Sequence, residues 1–152
     1  MIFKKLLLTF FAAMLPVFEL RGAIPLGIAQ GLPPAAAFCA AVLGNLIPVP
    51  FIVLLSRRII DFGKRLRIVA RFFTWFEQHA SKKSELVLRY KTIGLILLVA
   101  IPLPGTGAWT GAVAAALLDL RLKTTLPAVT VGVLIAGGLV TALSCGIFSV
   151  PL

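Results

Sequence analysis

The sequence predicts an all-α integral membrane protein built as an inverted repeat, and three observations carry that expectation. The 152-residue chain is 60% hydrophobic and 13% charged, with a mean hydropathy of +1.07, a balance outside the range of soluble domains. Most of its formal charge of +10 sits between Arg57 and Lys91, flanked by two long apolar regions. Each of those regions reads in the same order: a short apolar run, a break rich in Pro and Gly, a second short piece, then a stretch long enough to cross a bilayer.

Residues 1–15 imitate a signal peptide, with Lys4 and Lys5 ahead of Leu6-Leu-Leu-Thr-Phe-Phe. No small-x-small cleavage motif follows before Pro16, so the segment is expected to stay in the mature chain. The apolar run 6–18 makes a helix of about 20 Å at 1.5 Å per residue, short of a hydrocarbon core about 30 Å thick. It reads as the first leg of a re-entrant hairpin. The break is Phe18-Glu-Leu-Arg-Gly-Ala-Ile-Pro-Leu-Gly27, where Glu19 and Arg21 sit among Pro16, Gly22, Pro25 and Gly27. An Arg at the bilayer centre costs about 2.5–3.5 kcal/mol on insertion scales, so both charges are expected to face a cavity or a partner. The breakers free backbone groups that only protein or water can satisfy. Residues 22–32 form the returning leg, closed by Gln30-Gly-Leu-Pro-Pro34, whose prolines suit the first turn of the next helix. That helix, about 35–55, is long enough to span and is expected to kink at Pro48 and Pro50. It carries Asn45 at mid-depth, where a hydrogen bond to a neighbouring helix is the expected role.

From Arg57 to Lys91 the texture changes. Phe62, Leu66, Val69, Phe73 and Phe76 fall on one helical stripe, and Lys64, Arg67, Arg71 and Lys82 fall opposite. This basic amphipathic helix is too polar to span; it lies on an anionic leaflet or packs its apolar stripe on the bundle. A basic block confined to one loop reads as cytoplasmic and lipid-facing rather than as a nucleic-acid site. His79 has no Cys or His companion, so no metal is expected there. Cys39 and Cys145 lie in apolar runs without ligand or redox spacing and read as small buried hydrophobes.

The second half opens with the apolar run 92–103 and breaks at Ile101-Pro-Leu-Pro-Gly-Thr-Gly-Ala-Trp-Thr-Gly111. A short piece, 112–118, leads to Asp119 and Arg121, a turn with its surface pair. Residues 126–150 form the second span, with Gly132, Gly137, Gly138 and Gly146 permitting close helix approach. Shifted by 85, Gly22-Ala23 lies over Gly107-Ala108, Arg21 over Thr106 and Leu32 over Leu117. After three extra residues, Gly44–Leu55 lies over Gly132–Leu143. Repeat one thus covers about 1–56, the connector 57–90 and repeat two 91–150. Hairpins entering from opposite faces and a parallel arrangement each misplace two basic residues, so charge bias does not choose between them. The shortness of the runs favours hairpins, hence an inverted repeat.

The segments at 18–27 and at 102–111 (Pro-Leu-Pro-Gly-Thr-Gly-Ala-Trp-Thr-Gly) resemble the two signature segments of the small multidrug export protein family, over essentially the whole chain. More distantly, the chain is similar to the DedA/VTT superfamily. The resemblance implies two opposed re-entrant hairpins that move polyprenyl phosphate or other phospholipids across the membrane, with acidic and Arg residues of the hairpins required. Here those are Glu19 and Arg21. In the second hairpin it implicates the backbone and Thr side chains of Pro104–Thr110. Thr106 stands where Arg21 stands in the first, so that tip carries no second acid or Arg.

The candidate substrate site is therefore Glu19, Arg21, Gly22, Pro25, Gly105, Thr106, Gly107, Trp109 and Thr110. Arg21 offers a fork matched to phosphate or carboxylate, and helix N-termini after Gly22 and Gly105 would add N–H donors for the same anion. An ion pair with Glu19 is the other reading of Arg21. Glu19 reads either as a proton-coupling carboxylate or as the counter-ion of Arg21. Thr106 and Thr110 either donate to a ligand or back-bond to freed carbonyls. Trp109 either stacks on substrate or anchors at the interface. The expected function is a transporter or flippase for an anionic substrate of phospholipid or polyprenyl-phosphate type, in a bacterial-type inner membrane with the connector cytoplasmic. The alternatives are an exporter of cationic or amphiphilic compounds that binds through Glu19, and a non-transporting scaffold or assembly factor. No His-based nucleophile pair, acidic metal cluster or Cys/His set lies near the break, so no enzyme chemistry is expected. No cofactor is expected beyond proton or sodium coupling. Expected partners are membrane lipids, anionic lipid at the connector, a small amphiphilic substrate and a second copy in a homodimer; nucleic acid is not among them.

Overall fold

The structure, a computed structural model, describes residues 1–64, 84–103 and 105–149. Arg67, Arg71 and Lys82, with Leu66, Val69, Phe73 and Phe76 of the connector's stripe, lie outside the described residues, as does the side chain of Lys64. All regular elements among the described residues are helices: α1 (Ile2–Met14), α2 (Glu19–Ala29), α3 (Pro34–Leu46), α4 (Pro48–Lys64), α5 (Ser84–Ala100), α6 (Ala108–Leu117) and α7 (Leu122–Ser149). Two stretches are long and apolar enough to cross a membrane: Pro34–Phe62, which runs through α3 and α4, and Leu122–Ile147. Ile47 alone separates α3 from α4. Pro48 and Pro50 follow at once, and neither has an N–H for the helical ladder, so the break falls where the prolines predict it. The second half departs from its expected bounds: α5 starts at Ser84, well before the apolar run.

The short helices pair as antiparallel legs. A tight turn over residues 15–18 joins α1 to α2, and residues 101–107 join α5 to α6. A helix leaves its last carbonyls without partners, and a cation there also complements the helix dipole. Both return legs use this. Lys5 Nζ donates to the carbonyl of Gln30, and Lys91 Nζ donates to that of Leu118 at 3.1 Å. Both legs then stop in the same way. Leu32 N–H bonds Gly27 O at 3.0 Å and Leu120 N–H bonds Ala115 O at 2.9 Å, each just past a left-handed residue, Gly31 (φ 83°) or Asp119 (φ 53°). This puts Leu32 in the place of Leu120, not of Leu117 as the shift of 85 had it. The three extra residues therefore fall between the tip and this turn, ahead of the span.

Within each half α1 packs on α2 and α3, and α5 packs on α6 and α7. Between halves α4 lies on α6, while α2 and α3 lie on α7. Fully buried positions are mostly small: Ala13, Ala23, Ala41, Ala108, Ala112, Ala115 and several valines. Bulky side chains such as Phe3, Phe11, Phe51, Leu55 and Leu143 point outward. Lipid is as apolar as Leu, so burying large side chains gains little and close backbone approach gains more. A Cβ at Gly44 would collide with the carbonyl oxygen of Phe10, and one at Gly132 would stand 2.6 Å from Val99 Cβ. Gly137 lies against the ring of Phe38. Gly138 and Gly146 meet nothing within 4 Å, so the close approach expected there does not occur within the chain. Cys39 is exposed and Cys145 half-buried, not the buried hydrophobes anticipated. Thr125, Thr130, Thr141 and Ser144 each donate to the carbonyl four residues back, which is how α7 tolerates hydroxyls.

Asp119 does not pair with Arg121 as expected; its carboxylate stands 4.0 Å from Arg57, whose Nη2 also donates to Leu120 O. Arg57, Lys91 and the turn 118–120 thus meet at one end of the bundle. If the α1–α3 crossing depends on Gly44, then Gly44→Val costs about 1–3 kcal/mol of overpacking, whereas Gly138→Val stays within about 0.5 kcal/mol of the parent. Thermal unfolding of the detergent-solubilised protein reads both, and equal behaviour of the two variants would reject the assignment.

Candidate functional site

The tips of the two hairpins are held together by the two charges of the first. Helix α2 begins at Glu19, with Glu19 N–H on Leu15 O at 3.0 Å and Gly22 N–H on Phe18 O at 2.8 Å. Both charges therefore lie in the first turn of the returning helix, and its N-terminus precedes Gly22 instead of following it. Glu19 takes φ 44°, a left-handed backbone that residues with a Cβ seldom adopt. That conformation accompanies a carboxylate directed at the other hairpin. Its Oε1 accepts the N–H of Trp109 at 3.3 Å, and the group packs against Gly107 so closely that any Cβ there would collide with it. Gly107 is the N-cap of α6 and supplies no side-chain cap of its own. Glu19, buried to 8% exposure, provides the missing anion at the positive end of that helix. The α6 N-terminus, counted beforehand as free for a substrate anion, is already engaged.

Arg21 crosses in the same direction. Its Nη2 donates to the carbonyl of Thr106 and, at 3.0 Å, to the Thr106 hydroxyl. Two residues that the shift of 85 superposes are thus in direct contact. Among the described residues Glu19 and Arg21 form no ion pair with each other; each is satisfied by the opposite hairpin, which replaces the mutual pair that their spacing suggested. The Thr106 hydroxyl lies 2.7 Å from Ile101 O and 2.8 Å from Leu103 O, and accepts Leu103 N–H at 3.2 Å. Thr110 donates to Gly105 O at 2.8 Å. Of the two roles open to these threonines, back-bonding to loop carbonyls is the one present. The indole N–H of Trp109 donates to Met14 O at 3.1 Å, satisfying the end of α1, so its polar edge is tied to the first hairpin.

Glu19, Arg21, Gly105, Thr106 and Thr110 share a cavity of about 340 Å³ with Pro16, Val17 and Phe18. Gly22, Pro25, Gly107 and Trp109 do not line it. Gly22 lies under the Phe18 ring, where a Cβ would stand 2.6 Å from Cδ1. Pro25 sits inside α2 and lacks the N–H that would bond the Arg21 carbonyl. Arg21 is half-buried, and beyond Nη2 its N–H groups carry no hydrogen bond among the described residues. Val17 and Phe18 give the same cavity an apolar wall. Asn45, expected to bond a neighbouring helix, does not: it is 1% exposed and its Oδ1 finds no donor among the described residues. Among the described residues no group of three His, Cys, Asp or Glu could hold a metal. Sequence reasoning missed Lys5, Arg57 and Lys91 as structural residues. Their signal is a cation standing one apolar leg away from a turn that ends a helix.

The two crossing-length apolar helices among the described residues are those of a membrane protein. A family model described as "Putative small multi-drug export protein" matches residues 19–139, which include Glu19, Arg21, the second tip, the whole first long apolar stretch and most of the second. The chain belongs to that family, an export family and not an enzyme class. No curated protein and no solved structure matches it. The match does not reach the DedA/VTT superfamily.

If Glu19 caps α6, Glu19→Ala and Gly107→Ala each cost about 1–2 kcal/mol, and the double variant costs little more than either alone. Thermal unfolding of all three reads the cycle; simple additivity would mean that the two residues act independently.

Proposed function

We propose that the chain is an inverted-repeat carrier whose two re-entrant hairpins enter from opposite faces and meet at their tips, and that Arg21 there anchors the anionic head of a phospholipid or polyprenyl-phosphate-type substrate. The observation that carries the reading is the divided engagement of Arg21: its Nη2 is tied to the far hairpin, while the residue also lines the 340 Å³ cavity. Movement of one hairpin against the other alters the fork and the cavity together. Several features support the topology. From Lys5 to Met14 and from Lys91 to Ala100 each leg is about 15 Å long, near half the hydrocarbon thickness. Lys5 meets Gln30 at one base, while Lys91 and Arg57 meet residues 118–120 at the other. The helical path from Pro34 to Arg57, about 35 Å, runs between the two bases. With Arg57, Lys91 and Arg121 at one end, the basic connector belongs to the cytoplasmic side of an inner membrane. A homodimer is part of the same proposal, since exposed Gly146 on α7 leaves room for a second copy.

The family description favours a second reading, export of cationic or amphiphilic compounds through Glu19. The capping role of Glu19 argues against it, because a carboxylate engaged by a helix N-terminus is less free to take a cation. Purified protein in liposomes separates the two. With labelled phospholipid or polyprenyl phosphate, Arg21→Ala is expected to lower transport roughly 10- to 100-fold, the effect of losing a charged hydrogen bond worth about 1.5–3 kcal/mol. Arg21→Lys should recover only part of it, since a point charge does not reproduce the fork. Cationic dye efflux that survives Arg21→Ala and vanishes in Glu19→Gln would establish the second reading. Loss of function on neutralising the connector, with Arg21 variants silent, would point instead to a scaffold.

A further inference from the structure

Beneath the substrate cavity lies a second, much smaller one. Its volume is about 10 Å³, and Glu19, Arg21, Asn45, Val99 and Val133 are among its walls. Glu19 and Arg21 line both cavities, so they form the partition between them. Asn45 belongs to the last turn of α3, directly before the break at Ile47, and its amide oxygen is buried without a donor among the described residues. An unpaired buried acceptor costs about 1–3 kcal/mol, so protein interiors seldom leave one unserved. A space of about 10–15 Å³ admits a single water, which makes about three hydrogen bonds when buried.

We infer that the inner pocket is a built site for one water molecule, which donates to Asn45 Oδ1 and to the Glu19 carboxylate and accepts from Arg21. Two acceptors and one donor on its walls match the bonding capacity of water. A sodium ion suits the pocket less well, because it would sit beside a guanidinium with few oxygen ligands. The water extends the polar path inward from the substrate cavity to the point where the first long helix breaks. Occupancy of the outer site can then reach that break through Arg21, the water and Asn45. The water site itself stands on geometry; only this last consequence rests on the carrier reading.

Radiolytic hydroxyl-radical footprinting of the full chain in nanodiscs tests it, because a bound water oxidises side chains that bulk solvent does not reach. Val99 and Leu20, at 2% and 4% exposure, are expected to be labelled in the parent. Asn45→Leu should abolish that labelling and leave the exposed Phe18 at the rim unchanged, while Asn45→Asp, which keeps an acceptor, should retain it. Asn45→Leu should also lower the unfolding temperature, whereas a merely orphaned oxygen would make this variant more stable. Absence of label at both positions in the parent overturns the inference, as does label that persists in Asn45→Leu or that requires sodium in place of choline. Failure of lipid transport with the footprint intact would reject the carrier and leave the water site standing.

Discussion

The assembly depends on an exchange across the tips: the two charges of the first hairpin complete the backbone of the second. Arg21 serves the Thr106 carbonyl in a loop of Pro and Gly, and Glu19 serves the open N-terminus of α6. Each supplies what the other lacks. The requirement fixes Gly107, since any side chain there would expel the carboxylate, and it accompanies the left-handed backbone of Glu19, a conformation with a cost that the capped helix offsets.

The bases of the legs solve the complementary problem at the negative ends of the return helices. Lys5 and Lys91 reach their final carbonyls, and a left-handed residue after each lets the chain reverse within a few residues. Between base and tip the helices approach through Ala and Gly, so the arrangement rests on shape at Gly44 and Gly132 more than on bulky core side chains. The site inherits its rigidity from these contacts: both tips are positioned by short legs locked at each end.

Much of this was legible because lipid makes errors of polarity expensive. The all-helical class, the two crossing segments and the break at Pro48 all follow from where charge and breakers interrupt apolar runs. The offset of 85 even named Arg21 and Thr106 as a pair, although nothing in a linear repeat says that equivalent residues touch. What escaped is what depends on φ or on a partner distant in sequence. Asp119 reads as a surface acid, yet it adopts the left-handed conformation that Gly31 adopts in the first turn, and only the backbone reveals the equivalence. Glu19 and Arg21 read as each other's counter-ions because they are neighbours in the chain. The helix starting at Glu19 turns them toward separate targets. Trp109 read as stacking on substrate or anchoring at the interface, and the carbonyl of Met14 that its indole meets could not be guessed from spacing.

The one-sided placement of charge also bears on how the protein is made. During synthesis Glu19 and Arg21 leave the ribosome before their partners exist, and Thr106 follows Arg21 by 85 residues. At about 5–20 residues per second that interval is roughly 4–17 s. Through it the nascent first half carries a cation and an anion for which the bilayer interior has no place. Its tip must therefore wait at the headgroups or within the insertion machinery, and it settles only when the second half arrives to receive it. A ribosome that stops short of residue 106 leaves Arg21 without the carbonyl and hydroxyl that receive it.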